Sequence, residues 1–340
     1  MCGLEQPGQP ELGRVVRGLR TRRDLRLEMF EDLGVLGRGS FAEVRKVRLR
    51  DAPVEAIFAM KSLPRETPAG THSQSPLLNE RALLAQLKHP FIAQLVGYFE
   101  SPTQAHLLLE YVLGGELYRR LRAVLRFNED VTLFYGSEIL LALRYLHLND
   151  IIYRDLKFEN VMLDAQGHVK LVDFGLSKSL RSGRAHTLCG TQAYFSPEML
   201  LSEPEGYGKA SDWWAFGVLL LEMSTGAHPF YDKDPFVMYQ RIVALDYAVP
   251  RFVSPALRAL LKQLLTKEHL RLGAKDDGQS IMEHEFFQAV RFEEIVSRRH
   301  EAPWVPPVGR QERSDSRDAS QSASTASRST GSTPDPFSDF

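Results

Sequence analysis

The stretch Ser211-Asp212-Trp213-Trp214-Ala215-Phe216-Gly217-Val218-Leu219-Leu220-Leu221 limits the fold more than any other. Its apolar side chains cover the whole circumference of a helix, so that helix must lie inside a body large enough to surround it. With 340 residues, 43 % of them apolar, the chain can supply one large or two medium domains, and disorder throughout is excluded. No uninterrupted apolar run approaches membrane-spanning length, and residues 1–13 lack an apolar signal core. A formal net charge of −1 gives no global bias toward nucleic acid or anionic membrane. One local patch stands out: Arg14, Arg17, Arg20, Arg22, Arg23 and Arg26 interleave with Val15, Val16, Leu19 and Leu25. It reads as a solvated basic helix or arm, with membrane, nuclear-import or inhibitory docking as alternative uses. Cys2 and Cys189 are too few for a disulfide framework, so a reducing compartment is expected. Gly3 follows Cys2, which leaves no glycine at the position that myristoylation requires.

Along the chain, residues 1–29 read as a flexible arm, with order starting near Phe30. Short β-branched or alternating segments at 33–36, 44–48 and 56–60, broken by glycines and Pro53, predict an antiparallel meander. A helix follows over 78–87, and its periodicity puts Glu80 on the same face as Leu83, Leu84 and Leu87. A carboxylate on an apolar face demands a buried cation. A strand-like run at 106–112 ends at Gly114-Gly115, after which helical patterns dominate at 131–148, 210–224 and 255–265. The expected class is α+β and bilobal: a small antiparallel β-rich lobe (30–111) joined to a larger helical lobe (112–287). Residues 288–340 read as a tail. Within it, 311–333 are mostly Ser, Thr, Arg, Asp and Ala and cannot bury enough surface to order themselves. No internal repeat is present.

Three motifs carry chemistry. Leu36-Gly37-Arg38-Gly39-Ser40-Phe41-Ala42-Glu43-Val44 lies between two strand-like runs rather than opening a helix, which disfavours a dinucleotide fold and fits a hairpin lid over phosphates. Tyr153-Arg154-Asp155-Leu156-Lys157-Phe158-Glu159-Asn160 and Asp173-Phe174-Gly175 follow at spacings that describe phosphoryl transfer from ATP. Asp155 is expected to accept the proton of the attacking hydroxyl, and Lys157 to neutralise the moving phosphoryl group, which favours serine and threonine over tyrosine. Lys61, on the strand after the lid, is the natural partner of the phosphates and of Glu80. Val44 and Ala59 above and Met162 below should sandwich an adenine whose edge meets the backbone from Glu110 to Val112. The histidines carry no zinc-like spacing, and His147 reads as a hydrogen-bonded structural residue.

On these motifs the chain resembles a protein kinase. Tyr153-Arg154-Asp155 in place of His-Arg-Asp, Thr187-Leu188-Cys189-Gly190-Thr191, Asp212-Trp213-Trp214 and the terminal Phe337-Ser338-Asp339-Phe340 narrow the resemblance to the AGC group. The resemblance implies Asn160 and Asp173 as magnesium ligands, and Thr187 as an activating phosphorylation site facing Arg154 and Lys178. It also implies Glu116, Glu159 and Glu222 as holders of substrate arginines, and a structural Glu198–Arg271 pair. The terminal phenylalanines would dock on the small lobe beside the Glu80 helix. Ala42, Phe158, Gln192-Ala193 and Ser196 depart from the family pattern on the lid and the peptide side.

The implied function is a cytoplasmic serine/threonine kinase, with nuclear access open, that uses ATP and Mg2+. Its substrates would be proteins with arginine near the target Ser or Thr, and no nucleic acid is expected as a partner. An upstream kinase or autophosphorylation would switch it on; Arg184, Arg313 and Arg317 lie three residues before Thr187, Ser316 and Ser320. A pseudokinase scaffold is the alternative, although none of Lys61, Glu80, Asp155, Asn160 and Asp173 is missing. A small-molecule phosphotransferase fits the long activation segment and Ser196-Pro197-Glu198 less well.

Overall fold

Alternation along the strands gives the small lobe two different faces. The computed structural model describes residues 10–39, 42–64, 76–181, 183–202 and 204–307. Strands β1 (Phe30–Arg38), β2 (Glu43–Leu49), β3 (Ile57–Pro64), β4 (Leu95–Glu100) and β5 (Gln104–Glu110) form one antiparallel sheet in the order β1-β2-β3-β5-β4. Phe58, Met60 and Leu108 pack on one side with Val47, Val96 and Phe99. Ala105 and Leu107 pack on the other with Leu77 of helix α2 (Pro76–Leu84). Because successive side chains alternate, Ala59 and Lys61 share the α2 side. β4 was not read from the sequence, since its LVGYFE run neither alternates cleanly nor keeps a regular register through Gly97.

The outer side is closed by helix α1 (Pro10–Thr21), which corrects the reading of a flexible arm for residues 10–29; residues 1–9 lie outside the described residues. Val16, Leu19 and Leu25 are buried against the sheet, and Leu25 fills the space over Gly97. The arginines between them disguise an apolar stripe at helical spacing. Leu19 is 3 % exposed, so Leu19→Ala should cost roughly 2–5 kcal/mol. Urea unfolding of the full chain measures this; a midpoint equal to wild type would show that the helix contributes no packing energy.

In the larger lobe, α4 (Glu129–Leu148), α6 (Ala210–Thr225) and α8 (Pro255–Leu264) surround the main core, with α3 (Leu117–Val124), α5 (Pro197–Leu200) and α7 (Pro235–Ala244) outside them. Asn128 and Ser254 cap α4 and α8 by accepting from Val131 N (2.9 Å) and Leu257 N (3.1 Å). Every residue of α6 from Ala210 to Ser224 is buried, as its all-round apolar surface requires. Short strands β6 (Ile151–Ile152), β7 (Val161–Leu163), β8 (Val169–Leu171) and β9 (Lys178–Ser179) pair as β6–β9 and β7–β8, and frame the segments between the lobes.

Residues 288–307 do not continue as a loose tail. The turn at Phe292–Val296 packs on α4, Arg298 pairs with Asp164 at 2.5 Å, and Trp304 lies under the Arg120 guanidinium. The terminal Phe337 to Phe340, with Ser316 and Ser320, lies outside the described residues. Among the described residues no helix is long and apolar enough to cross a membrane.

Candidate active site

Lys61 joins the two lobes. Its Nζ lies 2.9 and 2.8 Å from the Glu80 oxygens and 2.7 Å from Asp173 Oδ1. Glu80 is 1 % and Lys61 7 % exposed, so the cation required by a carboxylate on an apolar helix face comes from β3. Burial pushes the Lys61 amine down, but the Glu80 and Asp173 charges more than offset this and hold it above its ordinary value. Burial likewise pushes Asp173 up, while Lys61 overrides it and holds the carboxyl below the usual range. Asp173 sits in the left-handed region at φ +56° and accepts from Gly175 N at 3.1 Å. A Cβ on Gly175 would stand 3.0 Å from Lys61 Nζ and 3.1 Å from Asp173 Oδ1, so a side chain there would have to shift that ion pair by a few tenths of an ångström.

Asp155 is held from both sides. Oδ2 accepts from Asn160 Nδ2 (2.7 Å) and lies 3.0 Å from Lys157 Nζ, and Oδ1 accepts from the Thr191 hydroxyl (3.0 Å). Lys157 also donates to Thr191 Oγ1 at 2.8 Å. An ionised carboxylate has about four acceptor positions, so three are filled and one is left to take a proton. Arg154, just before it, is left-handed at φ +68°. That backbone is fixed by Asp212, which accepts from Tyr153 N (2.8 Å) and Arg154 N (2.9 Å) while His147 Nε2 lies 2.8 Å from it. The sequence reading assigned no such role to Thr191 or Asp212. Their partners lie 36 and 58–59 residues away, and the only local trace was the motif in which each is embedded.

The lid strands pair as expected, with Gly37 opposite Val44 and Arg38 opposite Glu43. Gly39 N donates to Ala42 O at 2.8 Å; Ser40 and Phe41 at the tip lie outside the described residues. Leu36 is exposed at the lid. Val44 pairs with Lys61, and Ala59 lies one pair further along β3 from Met60. Met162 in β7 forms a bridge with Glu116. The Glu110 N–H is taken by Gln94 O (2.9 Å) and its carboxylate by Lys170 (2.9 Å), so an adenine edge would meet the Glu110 carbonyl and the Val112 backbone.

Of the three acidic residues assigned to substrate, Glu159 is exposed and Glu222 is buried nearby, accepting from Tyr194 OH at 2.8 Å. Glu116 lies across β7, at the start of α3. Burial pushes Glu222 up to about 7, against the Tyr194 hydrogen bond and with help from the Glu159 charge.

Thr187 is exposed on the segment between Asp173 and α5. Its carbonyl accepts from Tyr207 OH (2.6 Å), and the same hydroxyl lies 3.3 Å from Arg154 Nη1. Arg154 Nε donates to Leu176 O at 2.5 Å, and Lys178 lies in β9. Arg184 is engaged with Glu268 at 2.6 Å. At the end of the segment, Glu198 meets Arg271 through two bonds of 2.6 and 3.0 Å.

Residues 30–287 match the protein kinase domain family, and the chain belongs to it. A cAMP-dependent protein kinase catalytic subunit of Dictyostelium discoideum is 38 % identical over 288 residues, covering 84 % of this chain and 44 % of the relative. A RAC family serine/threonine-protein kinase homolog of the same organism is 39 % identical over 282 residues, covering 82 % of this chain and 62 % of the relative. The human cAMP-dependent protein kinase catalytic subunit PRKX is 38 % identical over 284 residues, covering 83 % of this chain and 78 % of the relative. These relatives put the chain in the AGC group of serine/threonine protein kinases, with the bilobal fold described above. The chain spans about half of the first two relatives' length.

Proposed function

We propose that this chain is an active serine/threonine protein kinase that transfers the γ-phosphoryl group of ATP to protein hydroxyls with arginine upstream. One observation supports this above all: a carboxylate with a single open acceptor position, Asp155, is paired with Lys157, whose charge also acts on Asp173 of the Lys61–Glu80–Asp173 cluster. Phosphoryl transfer asks little covalent chemistry of the protein, so positioning and charge supply most of the catalysis. Asp155 aims the substrate hydroxyl and takes its proton. Lys157, between Asp155 and Thr191, neutralises charge on the phosphoryl group in flight. Lys61 holds the phosphates, and its bond to Glu80 keeps α2 against the cleft.

The donors also suit magnesium. Asn160 spends its Nδ2 on Asp155, which keeps its Oδ1 for accepting, and the Asp173 side chain is half exposed. Among the described residues no three acidic, His or Cys side chains cluster as a metal cage. Mg2+ suits that arrangement, because it is normally held by one or two protein oxygens with waters and substrate phosphates. When bound, it would neutralise charge on the β- and γ-phosphates.

Glu159 and Glu222 give the arginine preference. Glu222 must lose its proton to pair with a guanidinium, so KM for an arginine-containing peptide should fall as pH rises from about 6 to 8. Glu222→Gln should flatten that dependence. A pH profile of KM unchanged by the substitution would remove Glu222 from the substrate site.

Thr187 is the switch, phosphorylated by an upstream kinase or in trans by a second copy. A phosphate there would lie beside Arg154 and draw it away from the Leu176 carbonyl, ordering the segment. An oriented peptide library with the wild-type chain and Thr187→Ala tests both ideas. Selection of arginine two or three residues before Ser or Thr is expected, with turnover in the variant down roughly 10–100-fold. A proline-directed or acidic preference would reject the substrate reading, and normal turnover in Thr187→Ala would reject the switch.

A further inference from the structure

Helix α1 spends its apolar side on the sheet and leaves a basic side that the proposed catalysis does not use. Val16, Leu19 and Leu25 are buried, while Arg14, Arg17 and Arg20 face solvent along the helix, and Arg23 and Arg26 extend the row beyond it. Among the described residues none of these five forms an ion pair; Arg22 alone is engaged, with Asp24 at 2.7 Å. Glu11 and Glu28 are the exposed acids at the two ends of the segment. The rest of the protein carries excess negative charge, since the whole chain sums to −1. The segment from Pro10 to Met29, with six arginines against three acids, is therefore a locally basic surface on the outer side of the small lobe.

We propose that this arginine row is a docking surface for an anionic phospholipid bilayer. Three features select that partner. The row lies on the opposite side of the sheet from Lys61, so a large flat surface can cover it with the cleft still open to ATP and protein. Between Pro10 and Met29 there is no aromatic side chain, and Phe30, the first one, is buried. Single-stranded nucleic acid would find no stacking platform there, and a protein partner no aromatic anchor. Leu27, next to Arg26, is 44 % exposed and can rest at the headgroup boundary without a pocket. Attachment through arginines alone is reversible and is screened by salt. It brings the kinase to membrane-bound substrates without altering its chemistry.

The test is cosedimentation of the full chain with vesicles of phosphatidylcholine alone, and of phosphatidylcholine and phosphatidylserine in equal parts. Binding to the mixed vesicles only, lost on raising salt to about 0.5 M, is the expected result. Replacing Arg14, Arg17 and Arg20 together by Gln should weaken binding roughly 100-fold, at about fivefold per arginine. Replacing the same three by Lys should retain most of it. Rates on a soluble peptide should be equal in wild type and both variants, and thermal unfolding checks that the Gln variant is folded. If it is not, the Lys variant and the salt series carry the test. Equal binding to both vesicle types, or none to either, would overturn the proposal, as would wild-type binding by a folded Gln variant. So would loss of binding in the Lys variant as complete as in the Gln variant, because that would mean bidentate recognition of a specific partner. Displacement from the vesicles by single-stranded RNA or polyglutamate at concentrations below that of the lipid phosphate would reassign the surface to that class.

Discussion

Asp155→Asn should lower kcat by roughly 10²–10⁴-fold while leaving KM for ATP nearly unchanged. The substitution keeps volume and shape, so the comparison isolates the charge and the open acceptor position. In the wild-type site Oδ1 and Oδ2 together receive Thr191, Asn160 and Lys157, and all three contacts point the remaining lone pair at one place. An amide there loses the negative charge that holds Lys157 and presents N–H groups where donors already converge. On the proposed reading the phosphates would be held elsewhere, by the Lys61 amine that Glu80 and Asp173 position, so nucleotide affinity should survive. Steady-state kinetics with an arginine-containing peptide, at varied ATP and varied peptide, separates the two effects. A kcat within tenfold of wild type, in a variant of unchanged thermal midpoint, would show that Asp155 does not take part in proton transfer.

Arg271→Ala should cost roughly 3–5 kcal/mol, because it strands the buried carboxylate of Glu198. The guanidinium is fully buried, donates to both Glu198 oxygens, to Ala210 O (2.8 Å) and to Thr266 O (2.8 Å), and lies over the Trp214 ring. Arg271 holds Glu198 below the usual carboxylate range although burial pushes it up. The depressed value gives the pH sign: this contribution is present at neutral pH and fades as pH falls through the carboxylate range. For a domain of this size the thermal midpoint should drop by roughly 6–20 °C. The double variant Glu198→Leu with Arg271→Met should recover much of the loss, since a matched apolar pair removes the orphaned charge. Calorimetry of the single and double variants measures both shifts. Equal midpoints for wild type and Arg271→Ala would mean that the pair adds nothing to stability.

The pairs legible in the sequence were those whose chemistry leaves one solution. A glutamate on an apolar helix face needs a cation, and Lys61 beyond a glycine-rich hairpin was the available one. A helix apolar on every side has to be central, and α6 is. What stayed hidden depends on distance along the chain or on mixed signals. Nothing near Thr191 says that its hydroxyl returns to Asp155, and Asp212 meets its backbone donors only once α6 lies under residues 153–154. Three arginines within α1, and three more just after it, masked its apolar stripe, because composition averages over two sides that the helix separates. Residues 288–307 are held in part by backbone approach, which leaves no mark in residue type beyond the glycines it passes.

One such glycine sets the limits of the cooperative unit. A Cβ on Gly167, at φ +87°, would come within 2.1 Å of the Trp304 carbonyl, and one on Gly114 within 2.6 Å of Pro306. The chain after Phe287 is thus clasped against the connection between the lobes, just as α1 is fastened behind the sheet. Trimming to the family match at 30–287 would strip both fasteners and bare Phe99, Met60 and the Arg120 contact surface to water. A recombinant fragment for biophysics should accordingly start before Pro10 and stop after Pro307, and shorter versions should be prone to aggregation during purification.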